Sequence, residues 1–351
     1  MITLRRAFRQ WVLLRKKLNY RGYSSRPIWR SLPELPNGDN ETFRQKAFAP
    51  SLPALLPRGQ FLGLPAISRW FVQGKPGITK TTLNHAYLDG FGTAIVPIEL
   101  TYLPGETSAS GLEDSFQRAE VPLDIFLRWT KLATSDTHER LYIAQASFDK
   151  LPKALISDLP APDLVVSTGV GDIYDSNLWL GLAPTYTPLH RDPNPNLFVQ
   201  LAGHKIVRML SPEAGDKAFN RVQSKMSERG SAAFRGEEMM KGEEKKLLDT
   251  EIWDDFSQVK VNGSNGYQAH VWGGDGLFIP KGWWHSIKGV DDGINVADFN
   301  RGNLEVRIPF VWLVKERHTV IISHLIKRDQ ETYNFTAHSW VMSVSKSQFK
   351  P

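Results

Sequence analysis

Two side chains that can bind a metal stand two residues apart in the segment from Gly181 to Pro212. They are His190 and Asp192. Successive side chains of a β-strand point to opposite faces, so residues two apart share one face. An imidazole and a carboxylate on the same face of a strand are a metal-binding pattern.

A lysine follows in the same segment, within the run from His204 to Leu210. Strand alternation places Lys205 on the same face as Val207 and Met209. An ammonium group on an apolar face is costly unless an anion meets it, so this lysine predicts an anion site. The alternative is a side chain that extends from a strand end to water.

The third candidate ligand, His285, lies far along the chain behind Trp283 and Trp284. It is preceded by Gly274 to Pro280, which is typical of a turn, a short apolar strand and a second turn. Two histidines and one carboxylate on one side of a metal form the facial triad of non-haem Fe(II) oxygenases. A single histidine here would more often be a core residue, but beside the His190 and Asp192 pair it is better interpreted as a ligand. The two tryptophans are expected to pack around it and hold it in place.

Three motifs in a fixed order carry a family resemblance. They are T-P-L-H-x-D, then N-L-x-x-Q-x-x-G-x-K-x-x-x-x-L-x-P, and finally G-D-x-L-x-I-P-x-x-W-W-H. This set resembles the JmjC or cupin-8 family of Fe(II)/2-oxoglutarate oxygenases, and is similar to its asparaginyl-hydroxylase-like protein hydroxylases. The resemblance implies a mainly β fold with flanking helices, a double-stranded β-helix of the jelly-roll type.

The resemblance also assigns the co-substrate pocket. His190, Asp192 and His285 would bind Fe(II) and leave positions for 2-oxoglutarate and O2. The implied partner of the distal carboxylate of 2-oxoglutarate is Lys205, with further hydrogen bonds from Thr187 and Tyr142. Asn196 is a candidate polar wall residue of the pocket, or else a turn former.

One strand departs from the family pattern, which often reads V-N-x-W with a pocket asparagine. Here the strand from Gly293 to Arg301 reads G-I-N-V-A-D-F-N-R. The asparagine position holds Asn295 in one alignment and Ala297 in the other. Both residues share a face, so the pattern leaves the two alignments open.

Composition limits the classes of protein and site. The 351 residues are 41% hydrophobic and include no cysteine. A chain of this size can bury a core, whereas disulfides, thiolate zinc sites and cysteine nucleophiles are excluded. No apolar run approaches the ~18 residues of a membrane span.

The positive charge is concentrated at the N-terminus. Residues 1–23 contain seven Lys and Arg residues and no acid, more than the whole formal excess of +6. An apolar helical stripe of Leu4, Phe8 and Trp11 faces a basic one, which is typical of a mitochondrial presequence. We expect cleavage near Tyr23 and a location in the mitochondrial matrix; the alternative is a basic surface helix or a nucleic-acid-binding arm.

The remaining chain predicts an irregular, proline-rich wrap over residues 24–85 and a JmjC/cupin-8 domain over 86–310. Within that domain we expect a strand at Gly90 to Glu99, a helix at Pro122 to Ala133 and a strand at Arg140 to Gln145. The charged stretch 214–255 is interpreted as a partly helical insertion, either facing the substrate or merely solvated. Residues 311–351 form a C-terminal extension of the kind through which the family closes its barrel or forms a homodimer.

The resemblance therefore implies a dioxygenase that hydroxylates a C–H bond of a macromolecule and releases succinate and CO2. The nearly neutral chain beyond residue 23 favours a protein side chain over a tRNA base, and no DNA partner is expected. A tRNA-modifying or demethylating oxygenase of the same family is an alternative. So is a non-catalytic mitochondrial binding or assembly protein, while a cupin with a different metal would leave Lys205 without its anion.

Overall fold

The computed structural model describes residues 29–72, 81–102, 116–134, 137–168, 173–226, 237–254, 266–290, 294–302, 312–316 and 319–323. Side chains are described throughout these ranges except at 173–174 and from 294 onwards. The chain divides into two compact units, residues 1–304 and residues 305–351. The predicted presequence, residues 1–23, lies outside the described residues.

Fifteen strands are described in the first unit. They are β1 Arg30–Ser31, β2 Ala54–Leu55, β3 Phe71–Val72, β4 Thr82–Leu83, β5 Ile95–Tyr102, β6 Phe116–Pro122, β7 Glu139–Ser147, β8 Ile173–Leu182, β9 Thr185–Arg191, β10 Asn196–Ala202, β11 His204–Leu210, β12 Gly266–Trp272, β13 Gly276–Ile279, β14 Trp284–Gly289 and β15 Ile294–Gly302. In the second unit β16 Trp312–Glu316 and β17 Thr319–Ser323 form an antiparallel pair.

The described helices lie between and around these strands. They are α1 Asn40–Phe43, α2 Pro65–Arg69, α3 His85–Leu88, α4 Leu123–Leu132, α5 Lys153–Ser157, α6 Asp163–Thr168, α7 Pro212–Gln223 and α8 Gly242–Trp253, with a π-helical turn at Arg44–Phe48 and 3-10 turns at Asp89–Phe91, Phe148–Lys150 and Glu237–Met240. Among them, none combines the length and apolar character that a membrane span requires.

Two sheets form the barrel. The smaller has the strand order β1-β12-β11-β14-β9, and the larger has the order β2-β13-β10-β15-β8-β7-β5-β6. Buried side chains from both sheets meet in one cluster, including Val207, Met209 and Val271 from the smaller and Phe198 and Leu277 from the larger. The two sheets therefore face each other across a shared interior, which confirms the predicted double-stranded β-helix.

Alternation along β10 gives the large sheet two buried faces. Phe198 belongs to the interior cluster, whereas its neighbours Leu197 and Val199 belong to the cluster formed with the N-terminal segment. That outer cluster includes Phe43 and Trp70 from the wrap. All seven residues of β10 are buried, and five of them are apolar, as expected for a strand that is covered on both faces.

The charged insertion packs on the outer face of the small sheet. Within its described part, Phe219 and Val222 of α7 and Ile252 of α8 contact a buried cluster that contains Leu210 of β11 and Trp284 of β14. The described helices of the insertion are thus packed against the barrel and not merely solvated.

One predicted boundary differs. The strand predicted from Gly90 begins at Ile95, because residues 89–91 form a 3-10 turn. The N–H of Gly92 donates to the carbonyl of Asp89 at 3.2 Å, and that of Ala94 donates to Phe91 at 2.9 Å. Local turn hydrogen bonds therefore take the place of sheet pairing in this glycine-containing stretch.

Candidate metal centre

The three predicted ligands converge at one end of two paired strands. His190 on β9 and His285 on β14 are direct cross-strand partners, and Asp192 follows the end of β9. One potential ligand atom from each of the three lies within 4.8 Å of the others. His285 and Asp192 are buried, and His190 is half-buried.

Backbone carbonyls orient both imidazoles. His190 Nδ1 lies 2.9 Å from the carbonyl oxygen of Pro188, and His285 Nδ1 lies 3.2 Å from that of Trp283. A carbonyl only accepts, so each Nδ1 carries the hydrogen and each Nε2 keeps a lone pair for a metal. The His285 Nε2 atom lies 3.8 Å from Asp192 Oδ2.

Asn196 orients the carboxylate. Its amide Nδ2 donates to Asp192 Oδ2 at 3.1 Å, and the residue is fully buried at the start of β10. The structure thus places Asn196 beside a candidate ligand, in contact with the carboxylate itself. The oxygen that Asn196 holds is the same one that lies 3.8 Å from His285 Nε2.

These residues fit a divalent metal ion. Metal bonds of about 2.1 Å keep ligand atoms roughly 4 Å apart or less, so the observed span needs only small side-chain adjustments. Two imidazole nitrogens and one carboxylate oxygen, with no sulfur donor, suit non-haem Fe(II). Three protein ligands on one side leave the remaining positions for small molecules.

Lys205 lies on the same inner face as His285. The register pairs Met209 with His285 and Val207 with Ile287, so the alternating residue Lys205 also points into the barrel. It is 2% exposed, and its ammonium lies 5.4 Å from the ring centroid of Phe198. Burial lowers the pKa of Lys205 to about 7, since the apolar interior disfavours the charged form.

Thr187 lies on the same face as Lys205, and β14 lies between their two strands. It pairs with Ile287, which itself pairs with Val207. A bulge between His285 and Ile287 shifts the register between Thr187 and the ligand His190. Bulges of this kind re-aim side chains next to functional sites.

Tyr142 enters the interior from the large sheet. It pairs with Gly181, whose neighbour on the same face, Trp179, packs against the interior cluster. A Cβ at position 181 would collide with the Tyr142 ring, so only glycine fits there. Burial, reinforced by Glu99, raises the pKa of Tyr142, which keeps its hydroxyl protonated and able to donate.

The backbone pairing of β15 is described, although its side chains are not. Asn295 pairs with Gly181, and Ala297 pairs with Trp179 and Gln200. The occupant of the family's asparagine position therefore stays a prediction.

Two residues of the large sheet, both close to Tyr142 in the strands, were missed by the sequence reasoning. Gly181 has a recognisable signal, since a glycine inside an apolar strand often marks a close approach by another group. Arg140, two residues before Tyr142 on β7, is buried to 8% exposure, and burial lowers its pKa. Arg140 directly follows the polar residues His138 and Glu139, so the sequence pattern gave no indication that it is buried.

Comparison with known proteins agrees with the fold. Residues 62–300 match the cupin-like domain family, cupin-8. The chain belongs to the cupin-8 (JmjC) family. All three candidate metal ligands, with Lys205, Thr187 and Tyr142, lie within the part of this cupin-8 chain that matches.

Curated relatives resemble the chain at low identity. Lysine-specific demethylase JMJ30 of Arabidopsis thaliana is 25% identical over 221 residues, which cover 62% of this chain and 46% of the relative. Jumonji C domain-containing protein 5 of Drosophila melanogaster is 26% identical over 271 residues, covering 76% and 59%. Lysine-specific demethylase 8 of Xenopus tropicalis is 26% identical over 271 residues, covering 76% and 52%. The cupin-8 chain thus spans about half the length of these relatives.

Proposed function

We propose that this protein is an Fe(II)- and 2-oxoglutarate-dependent dioxygenase that hydroxylates a macromolecular substrate, with a protein side chain preferred. One observation carries the proposal. His190 and His285 project from the same inner face of the small sheet as the buried Lys205, and Asp192 follows the end of β9 beside them. A barrel that served only as a scaffold would have no need of a metal triad and a buried cation in one interior.

In this proposal His190 and His285 bind Fe(II) through Nε2, and Asp192 binds it through its carboxylate. The hydrogen bonds from the two Nδ1 atoms to backbone carbonyls hold the imidazoles in the required tautomer. The metal, when bound, supplies the activation of O2 that couples decarboxylation of 2-oxoglutarate to oxidation of the substrate.

The co-substrate is held by charge and hydrogen bonding. Lys205 pairs with its distal carboxylate, which supplies the anion that the buried ammonium needs. Thr187 and Tyr142 donate hydrogen bonds from the two sheets, and the raised pKa of Tyr142 suits a neutral donor. Phe198 and Val207 exclude water around the pair.

Hydroxylation and demethylation are two outcomes of the same chemistry. Adding a hydroxyl to an N-methyl carbon gives a product that releases formaldehyde, whereas adding it to another carbon gives a stable alcohol. Two of the relatives are named lysine-specific demethylases, which supports a protein substrate and keeps demethylation as the alternative. The chain beyond residue 23 has a formal charge of −1, which further favours a protein over a nucleic acid.

We place this activity in the mitochondrial matrix, on the basis of the basic, amphipathic residues 1–23. A fusion of residues 1–30 to a reporter is expected to enter mitochondria, and the protein isolated from cells is expected to begin near Ser24. Recovery of intact Met1 from a cytosolic fraction would contradict this location.

Anaerobic titration tests the reaction class. Adding Fe(II) and 2-oxoglutarate together is expected to give a weak metal-to-ligand charge-transfer band that neither gives alone. Exposure to O2 should then produce succinate. A protein that binds Fe(II) without this band would belong with the other cupins or with non-catalytic binding proteins.

Substrate identity requires a separate measurement. Mass spectrometry should compare mitochondrial proteins from cells with and without this protein, searching for modifications that differ by one oxygen atom or one methyl group. A missing oxygen in the deletion cells indicates hydroxylation, and an additional methyl group indicates demethylation.

A further inference from the structure

A carboxylate outside the barrel connects the two strands that carry the histidine ligands. We propose that Asp216 of α7 is a positioning residue, which fixes β9 against β14 and so sets the distance between His190 and His285. This inference rests on the proposed metal site. It assigns a role to a residue in the charged insertion that has no contact with the metal ligands themselves.

The neighbours of the two histidines form a second cross-strand pair. Arg191 pairs with Trp284, next to the pair of His190 and His285. Because side chains alternate along a strand, the histidines point into the barrel while Arg191 and Trp284 point outwards. Whatever holds this outer pair therefore also holds the inner one.

Asp216 holds both members of the outer pair. Its Oδ1 atom accepts a hydrogen bond from Arg191 Nη1 at 3.1 Å and another from Trp284 Nε1 at 3.2 Å. The Arg191 guanidinium also lies 5.0 Å above the Trp284 ring. One oxygen atom thus connects the two strands at the level of the ligands.

Helix α7 holds Asp216 firmly in place. Ser211 caps its N-terminus, and Pro212 occupies its first turn. Gly215 lies so close to the Trp284 ring that a Cβ there would collide with it. The Phe219 ring stacks on the same tryptophan at 5.2 Å, and Trp284 is fully buried.

The sheet itself constrains this region weakly. Strand β9 is the last strand of the small sheet, so within that sheet it pairs with β14 alone. The bulge between His285 and Ile287 interrupts that pairing directly beside the ligand pair. A regular ladder would fix the strands by itself, whereas an interrupted edge needs an additional link.

The ion pair has little value for stability as such. Asp216 and Arg191 are 44% and 31% exposed, and ion pairs this exposed to solvent contribute little to stability. Asp216 would instead act by fixing the position of β9 relative to β14. Loss of the hydrogen bonds to Asp216 should therefore lower metal affinity measurably, with only a small decrease in the melting temperature.

The test compares Asp216→Asn and Asp216→Ala with a matched control, Glu213→Gln. Glu213 is an acid on the same helix that pairs with Lys217 at 2.6 Å, away from the metal-bearing strands. Full-length protein is titrated with Fe(II) anaerobically and with Co(II), whose absorption spectrum reports ligand geometry, and melting is measured without metal. No measurement depends on turnover.

We expect Asp216→Ala to bind Fe(II) about tenfold more weakly, at the lower end of the range for residues that orient metal ligands. Its Co(II) spectrum should differ from that of the parent protein. Its melting temperature should be slightly below that of Glu213→Gln, because Trp284 Nε1 loses an acceptor. Asp216→Asn, which keeps the acceptor for Trp284, should lose less affinity. Combining Asp216→Ala with Arg191→Gln should add little further loss, because both changes break the same link.

Two results would overturn the inference. If the Asp216 variants equal Glu213→Gln in Fe(II) affinity and Co(II) spectrum, Asp216 has no positioning role, although the proposed function stands. If the affinity loss disappears once it is corrected for the unfolded fraction, the role is structural only. A parent protein that binds neither metal would refute the proposed function and this inference together.

Discussion

Two lysines on opposite faces of the small sheet have contrasting surroundings. On the outer face, Lys288 of β14 lies 2.5 Å from Asp249 of α8 and above the rings of Tyr186 and Trp253. On the inner face, Lys205 of β11 is buried beside Phe198, and desolvation alone lowers its pKa. The outer lysine is stabilised by a carboxylate and aromatic rings of the protein, whereas the inner one is desolvated beside an aromatic ring.

This contrast separates a cation that the protein itself stabilises from one that burial destabilises. A cation that already has a carboxylate and two aromatic rings holds secondary structure in place, here the insertion helix α8 against the barrel. A buried cation surrounded by apolar groups lowers stability unless a ligand compensates it. The residue type is identical in the two cases, so the surroundings alone distinguish them.

The largest effect is expected from the metal ligands. Asp192→Ala should abolish Fe(II) retention, because it removes one of three protein ligands, while the fold remains largely intact. Asp249, the partner of Lys288 on the outer face, provides the control: Asp249→Ala should leave the iron content unchanged. Iron analysis of the two purified variants makes the comparison, and unchanged iron in Asp192→Ala would show that the triad is misassigned.

The next effect concerns the two lysines directly. Lys205→Met should weaken 2-oxoglutarate binding by roughly 30- to 1000-fold, as expected when one partner of a buried charge-assisted pair is lost. Lys288→Met should leave that affinity unchanged. Fe(II) affinity should be the same in both, because neither lysine is a ligand.

Stability should change in the opposite sense. Without co-substrate, Lys205→Met should be at least as stable as the parent, whereas Lys288→Met should lose up to about 1 kcal/mol with its partly exposed ion pair. Calorimetry and denaturant unfolding measure both quantities. Equal 2-oxoglutarate binding by Lys205→Met and the parent would remove the proposed pocket and favour a non-catalytic binding protein.

A pH dependence of intermediate size follows from the lowered pKa of Lys205. The pKa falls from 10.5 to about 7 on folding, so between these values the unfolded chain binds more protons than the folded one. The free energy of unfolding of the co-substrate-free protein should therefore rise as pH increases through this window. Binding of 2-oxoglutarate requires the ammonium, so its affinity should fall above pH 7 by up to about tenfold per pH unit. Lys205→Met should remove both dependences.

The smallest effect is expected on the outer face, at His270. Its Nε2 accepts from Gln268 Nε2 at 3.2 Å, since Gln268 Oε1 already accepts from Arg208 Nε at 2.9 Å. Its Nδ1 therefore donates to His204 Nε2 at 3.1 Å. Burial, with His204 and Arg58, lowers the pKa of His270 below 6.5.

The pKa of His270 is lower in the folded protein than in the unfolded chain. The contribution of neutral His270 to the free energy of unfolding is therefore complete above pH 6.5 and is lost as the pH falls below that value. Unfolding measured from pH 7.5 to 5 should show this loss, and His270→Gln should reduce it. If the free energy of unfolding of His270→Gln depends on pH as that of the parent does, other groups cause the acid sensitivity. The two lysines would then be the residues that distinguish the two faces.

The sequence alone determined the elements that local patterns encode. Period-two alternation predicted the face shared by Lys205, Val207 and Met209, and the helix expected at Pro122 to Ala133 is α4. The three motifs predicted the family and the jelly-roll fold. These predictions succeeded because strand alternation, turn residues and metal-ligand types are properties of short segments.

Only the tertiary structure decided how distant segments meet. Residues 95 apart in the chain, His190 and His285, become direct cross-strand partners through a register that neither segment encodes by itself. The same holds for the contact of Asp216 with Arg191 and Trp284, and for the Tyr142 ring over Gly181. The described helices of the charged insertion, which composition alone left as either solvated or substrate-facing, pack on the barrel because the outer face of the small sheet offers apolar surface to bury. Pairing between strands far apart in sequence depends on how both sheets bury their faces together, and that is a property of the whole barrel.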